Sequence, residues 1–202
     1  MRDAKLMGRL TASATHEMQN ILATIRESSG LMEDLLAMSA QGFAHAERFK
    51  KGLRVMAEQV ERGMMLSEQL NFCAHAQESA PAGSEVNEAA SALVGLSRRQ
   101  AARGKVSLVL APGRSGLRSA LRAVDVMTLL GLALDCALPV MARDTELLLS
   151  VEEQGGLAVI RLGQPGYEAL QKQAFFGELQ ECAKALGDCV GPGAGGSGLV
   201  LS

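Results

Sequence analysis

Tryptophan is absent from this chain of 202 residues and tyrosine occurs once. Stacking of bases on aromatic rings is therefore not an available recognition mode. The formal net charge is −2, so neither nucleic acid nor an anionic membrane is an expected partner. No apolar run approaches the roughly 18–20 residues of a membrane span. The opening Met1-Arg-Asp-Ala-Lys5 does not read as a signal peptide. The chain is thus expected to be soluble and cytoplasmic, with no membrane span. Its four cysteines, Cys73, Cys136, Cys182 and Cys189, contain no CxxC pair. That argues against a disulfide framework or a zinc site and for reduced, mostly buried thiols.

What is present is apolar content, 48% of the residues, enough for a stable core in one or two domains. Residues 5–38 contain no proline and two glycines, Gly8 and Gly30, among many strong helix formers. Leu6, Leu10, Met18, Ile21, Leu22, Ile25, Met32, Leu35 and Leu36 form one stripe of that helix. A short break at 40–42 precedes a second helix over 44–77. There Phe49, Leu53, Met56, Val60, Gly63, Ser67 and Leu70 repeat at spacings of four and three, a heptad seam. An isolated hairpin of helices roughly 50 Å long cannot bury both apolar faces. Two copies forming a four-helix bundle can, so a homodimer is expected.

Glu78-Ser-Ala-Pro-Ala-Gly-Ser84 is a linker by composition. The division is into a helical hairpin (1–78), a linker (79–84) and an α/β domain (85–202). In the second domain a helix is expected over 85–103, with Ser84 or Asn87 as N-cap and Gly104 as its stop. Strands follow at 106–110 and 117–123, then a buried helix over 125–141. A hairpin spans 146–152 and 157–162, a helix runs over 171–186, and a short strand pair forms at 189–190 and 199–201. The fold class is α+β, one mixed sheet with helices on one face.

On the first helix, His16 falls roughly 160° from the centre of the apolar stripe. Asn20 lies one turn on along the same outward face, and Glu17 sits at its flank. An exposed neutral imidazole on a rigid helix is the form in which histidine acts as a nucleophile, with a carboxylate to orient it. His45 and His75 lack this acid-then-amide context and read as surface residues.

The stretch His16-Glu17-Met18-Gln19-Asn20-Ile21-Leu22 resembles the H-box of sensor histidine kinases. The resemblance implies that His16 is the phosphoacceptor, that Glu17 handles protons and that Asn20 positions a hydrolytic water. The order of elements in 85–202 likewise resembles the ATP-binding domain of that family, with its motifs eroded. Gly131-Leu-Ala-Leu-Asp135-Cys136 stands where the family has Asn-Leu-x-x-Asn-Ala, and Asp135 can still hold a hard cation. Leu162-Gly163-Gln-Pro-Gly166 stands where the family has Asp-x-Gly-x-Gly, with Gly163 in place of the adenine-reading aspartate. Gly195-Gly-Ser-Gly198 resembles the second glycine box, but the closing helix and strand of the fold need 179–187 and 199–201. It is therefore a turn, and no residues remain for a lid over ATP.

An acceptor histidine kept and a nucleotide site lost is the pattern of kinase-derived phosphotransfer proteins. The resemblance then implies a dimer that exchanges phosphoryl groups between His16 and receiver-domain aspartates. No tightly bound cofactor is implied, and magnesium arrives with the receiver. The alternatives are a divergent ATP-dependent histidine kinase, a non-catalytic dimeric scaffold, and a receiver phosphatase that uses Asn20.

Overall fold

The computed structural model describes residues 2–38, 46–76, 84–193 and 197–201. The expected helix break at 40–42, His45 and linker residues 78–83 lie outside the described residues. Two long helices come first, α1 (Arg2–Ala37) and α2 (Ala46–Ala76). A two-residue strand β1 (Ser84–Glu85) leads into α3 (Val86–Arg103), which Gly104 caps. Then come β2 (Val106–Ala111), β3 (Arg118–Ser119), α4 (Ala123–Ala137), β4 (Thr145–Gln154) and β5 (Leu157–Gly166). The chain closes with α5 (Tyr167–Gln171), α6 (Phe176–Leu186), β6 (Val190–Pro192) and β7 (Ser197–Leu201).

The main sheet has the order β2-β4-β5-β7-β6. Only β2 and β4 run parallel, joined by a crossover through α4, and the remaining pairs are antiparallel. Alternation along β4 turns Leu147, Leu149 and Val151 inward and leaves Glu146, Leu148 and Glu152 exposed. One face of the sheet is therefore core and the other meets solvent. The closing strand β7 lies between β5 and β6, so the glycine-rich tail completes the sheet, as the sequence requires. Gly198 takes φ +69, and a Cβ there would overlap the Leu162 carbonyl, so this turn demands glycine.

Every residue of α4 is buried. The helix has the sheet beneath it and α1, α3 and α6 packed against it. A helix covered all round can be apolar all round. This corrects one expectation: Ala123–Val140 does reach 18 residues with mean hydropathy 1.8, long and apolar enough to cross a membrane, but 83% of it is buried inside the fold.

Four further expectations change. The strand expected over 117–123 shrinks to β3, which pairs with β1 outside the main sheet. The helix expected over 171–186 is two helices, because Leu170 and Phe176 both turn inward and Tyr167 meets the Phe176 ring edge-on at 5.6 Å. Glu85, not Ser84 or Asn87, is the N-cap of α3, and it makes no side-chain cap bond. The Ser84 hydroxyl instead donates to the Leu121 carbonyl (2.7 Å), and the Asn87 amide bonds Gly113 N and the Arg114 carbonyl. Those side chains tie the 112–121 loop to α3 and are not free to cap it.

The fourth change concerns the hairpin. The heptad seam of α2 splits into two series. Phe49, Met56, Gly63 and Leu70 are half-buried, while Leu53, Val60 and Ser67 are exposed. Along α1, Leu6, Leu10, Ile21, Met32 and Leu35 are buried, but Leu22 and Leu36 are more than half exposed. One hairpin thus covers only part of its own stripe.

Cys73 and Cys136 are buried in the core, and Cys189 is exposed. Cys182 is buried as well. Burial raises the Cys73 and Cys136 thiols from 9.0 to about 11, with the Asp135 charge a second cause at Cys136. Near pH 8, a thiol reagent should modify Cys189 quickly and leave Cys73 and Cys136 unreacted until the chain is denatured. Between roughly pH 9 and pH 11 the folded thiols keep protons that unfolded ones lose, so their contribution to stability falls as pH rises through that window. Thiol titration and urea midpoints on either side of the window check both statements.

Candidate functional site at the hairpin and third helix

The amino-terminal half of α1 is held against the α/β layer by contacts one turn apart. Leu6 packs on Gly131 of α4, where an added Cβ would come within 2.8 Å of the leucine methyl. Glycine is what allows the two helices to approach so closely. Three residues on, Arg9 Nη1 donates to both oxygens of Asp135, at 2.7 and 2.6 Å. Gln100 of α3 donates a third bond to the same carboxylate at 3.1 Å. Asp135 is 7% exposed, and three hydrogen bonds from two side chains offset the cost of burying a carboxylate there. The Ser13 hydroxyl adds a long bond to the Leu96 carbonyl of α3, at 3.5 Å.

Beyond these contacts the helices part into a cleft of about 380 Å³. His16 stands at it, exposed on α1, with Arg9, Ser13, Gln100, Arg103 and Asp135 among the other lining groups. The cleft therefore carries two guanidinium groups and one carboxylate. The Arg9 charge is matched by Asp135, whereas Arg103 has no ion-pair partner among the described residues. A surplus of positive charge beside an exposed imidazole draws an anionic group toward it.

Glu17 turns the other way. It is half-buried and forms an ion pair with Arg62 of α2. No hydrogen bond joins Glu17 to His16 among the described residues, so the carboxylate next in sequence braces the hairpin and does not orient the ring. Asn20 is exposed, its backbone carbonyl taking a bond from the Thr24 hydroxyl at 3.0 Å. Of the residues at nucleotide-motif positions, Asp135 joins the His16 cleft, while Gly163 and Gly166 on β5 are exposed and are not among its lining residues. His75 is exposed on α2. Among the described residues no group of three or more His, Cys, Asp or Glu side chains forms a metal-ligand cluster.

Reasoning from the sequence missed the arginines of α3. Arg98, Arg99 and Arg103 all face the hairpin through the cavities on either side of the α1–α3 contact. The signal was present as Arg98-Arg99-x-x-x-Arg103, a basic patch near the helix C-terminus, where the macrodipole favours cations. It reads equally well as a solvated helix end until α1 is packed beside it.

No protein-family model matches the chain, and no curated protein matches it. Solved structures do. A bacterial phosphotransferase, its structure determined at 1.7 Å, aligns with TM-score 0.50 at 15% identity, covering 98% of this chain and 95% of that one. The two chains share a fold over nearly their whole lengths. Looser alignments reach the histidine kinase AdeS of Acinetobacter baumannii (TM-score 0.47, 14% identity, 92% of this chain and 94% of that chain) and the cytoplasmic segment of histidine kinase QseC (0.44, 16%, 71% and 91%). At these identities the likeness is one of fold, and the first alignment carries it. On this fold the helical hairpin and the mixed sheet are both accounted for, and α1 of this chain is joined to α4 through Leu6 and Arg9.

The asymmetry of the Arg9–Asp135 pair makes a test. Arg9→Ala leaves a buried carboxylate with one neutral donor, whereas Asp135→Asn leaves a half-exposed guanidinium that can turn to water. Arg9→Ala should cost about 2 kcal/mol and Asp135→Asn about 1 kcal/mol or less, read as urea unfolding midpoints at constant slope. Equal losses would mean that packing, not the buried charge, is what the contact contributes.

Proposed function

We propose that the chain is a histidine phosphotransferase of two-component signalling, exchanging phosphoryl groups between His16 and receiver-domain aspartates without using ATP. The observation that carries this reading is the pairing of an exposed His16 at a positively charged cleft with Gly131 and Asp135 already engaged by α1. Positions that would otherwise face a nucleotide are engaged by the helix that bears the histidine. The fold of a bacterial phosphotransferase supports the reading at the coarser level of histidine-kinase-like architecture.

In the transfer, an imidazole nitrogen attacks the phosphorus of a receiver's aspartyl phosphate. The N–P bond forms as the P–O bond to the aspartate breaks, and the carboxylate leaves. A magnesium ion brought with the receiver would supply neutralising charge for the transferring oxygens. Arg103 of the cleft faces the same developing charge. The proton on the other ring nitrogen goes to water or to Glu17, which must first exchange Arg62 for it. Ala12 and Ala23, exposed on α1 beside His16, leave room for a receiver helix to approach. The reverse reaction passes the group to a second receiver, in the cytoplasm.

The working unit is a dimer of hairpins. Leu53, Val60 and Met64 lie within roughly 40° of one another on α2, each about half exposed or more. Leu22 and Leu36 share one edge of α1 two heptads apart. A second hairpin covers such a face as a four-helix bundle. The hairpin over 1–78 is then the dimerisation and phosphoacceptor domain, and 85–202 supplies docking surface.

Incubation with phosphorylated receiver domains and, separately, with labelled ATP and magnesium tests the chemistry. Label should arrive from the receiver, not from ATP, and should be lost entirely in His16→Ala. Label taken directly from ATP would make the chain a divergent kinase, and receiver phosphate lost to water through Asn20 would make it a phosphatase. For the dimer, Val60→Glu combined with Met64→Glu should halve the sedimenting mass while helical content stays unchanged. A wild-type monomer at micromolar concentration would refute the bundle.

A further inference from the structure

A second cavity lies on the other side of the α1–α3 contact, between the hairpin and α3, with a volume of about 420 Å³. Arg62, Arg98, Arg99, Glu17, Asn20 and Gln69 supply its polar lining. Three guanidinium groups face one carboxylate there, in a chain whose net charge is −2. The local excess of positive charge is therefore a matter of placement and not of composition.

Four arginines elsewhere in the fold are answered. Arg9 meets Asp135, Arg114 meets Glu153, Arg122 meets Asp125 and Arg161 meets Glu152. In the cavity, Arg62 is answered by Glu17, but Arg98 and Arg99 have no ion-pair partner among the described residues. Arg99 Nη1 is moreover buried with no hydrogen-bond partner. A buried charged donor left unmade is a cost that folded proteins rarely carry without a use. Gly95 lets the Gln69 amide lie directly against α3, where a Cβ would displace it.

We propose that this cavity binds a small phosphate-class oxyanion. A guanidinium fork matches two oxygens of a phosphate. Arg98 and Arg99 supply two such forks, and the amides of Asn20 and Gln69 can donate to the remaining oxygens. None of the lining residues is aromatic, so no ring is present to sandwich a nucleobase, and the ligand assigned is inorganic phosphate or pyrophosphate. The bound anion competes with Glu17 for Arg62, and Glu17 adjoins His16 in the chain. Occupancy of the cavity thus bears on the phosphoacceptor without touching it. The binding itself does not depend on the phosphotransfer reading.

Calorimetric titration of the whole chain with inorganic phosphate, pyrophosphate and ATP, at fixed ionic strength in chloride, tests the site. Saturable binding of phosphate or pyrophosphate is expected, weakened about tenfold or more in Arg99→Met and in Arg98→Gln. Arg103→Gln, which alters the His16 cleft instead, should stay within about twofold of wild type. Arg99→Met should also fold without loss of thermal midpoint, since it removes an unpartnered buried donor. Should Arg99→Met not fold, the exposed Arg98→Gln variant carries the test. ATP binding no more tightly than pyrophosphate supports the inorganic assignment, and ATP binding more than tenfold tighter overturns it. Absence of saturable binding, or affinity unchanged in both Arg98→Gln and Arg99→Met, overturns the site. Loss in Arg103→Gln alone would place the anion in the His16 cleft and overturn it as well.

Discussion

Much of this molecule depends on how α1 lies against α4. Leu6 occupies the space that Gly131 leaves, and Arg9 neutralises a carboxylate that could not otherwise be buried. A guanidinium that reaches solvent while its fork closes on a buried acid is suited to this task, because the acid is desolvated and the arginine only partly so. Through that contact α4, wholly buried, passes the position of the sheet to the helix that carries His16. The cleft at His16 and the cavity across the α1–α3 contact are both by-products of this placement. Each is a gap left where three helices meet at an angle.

The placement also accounts for the local electrostatics. α3 presents its basic carboxyl-terminal half to the hairpin, and the carboxylates nearby are already engaged. Asp135 is taken by Arg9 and Gln100, and Glu17 by Arg62. What remains at the surface of the helix that bears His16 is uncompensated guanidinium charge. A nearly neutral chain can in this way offer a strongly anion-attracting site, since field strength near a cleft follows the local arrangement and not the sum of charges.

The hairpin is a different kind of solution. Its heptad series divide between a neighbour in the same chain and a face left uncovered. Phe49, Met56, Gly63 and Leu70 turn toward α1, while Leu53, Val60 and Met64 point away. Two helices in contact can bury one stripe each, and a stripe wider than that calls for further helices. The α/β layer meets this need only at the amino-terminal end of α1 and the carboxyl-terminal part of α2.

The long helices, the β4–β5 hairpin, the end of α3 at Gly104 and the closing strand were legible from the sequence. Each rests on local signals: periodicity, a glycine stop, or a turn between apolar runs. The outward placement of His16 and Asn20 followed from helical geometry alone. The capping of α3, the division of α5 from α6 and the shrinking of the 117–123 strand were decided by partners distant in sequence, such as Leu121 for Ser84 and Tyr167 for Phe176. The same holds for the site. The sequence by itself determined that a histidine, an acid and an amide share the middle of a proline-free helix. Only the tertiary structure decided that Glu17 would face Arg62, that Asp135 would face Arg9, and that the arginines of α3 would converge on that stretch. The two ion pairs cross 45 and 126 positions along the chain, a range over which no local pattern specifies a contact and only the packing of whole elements does.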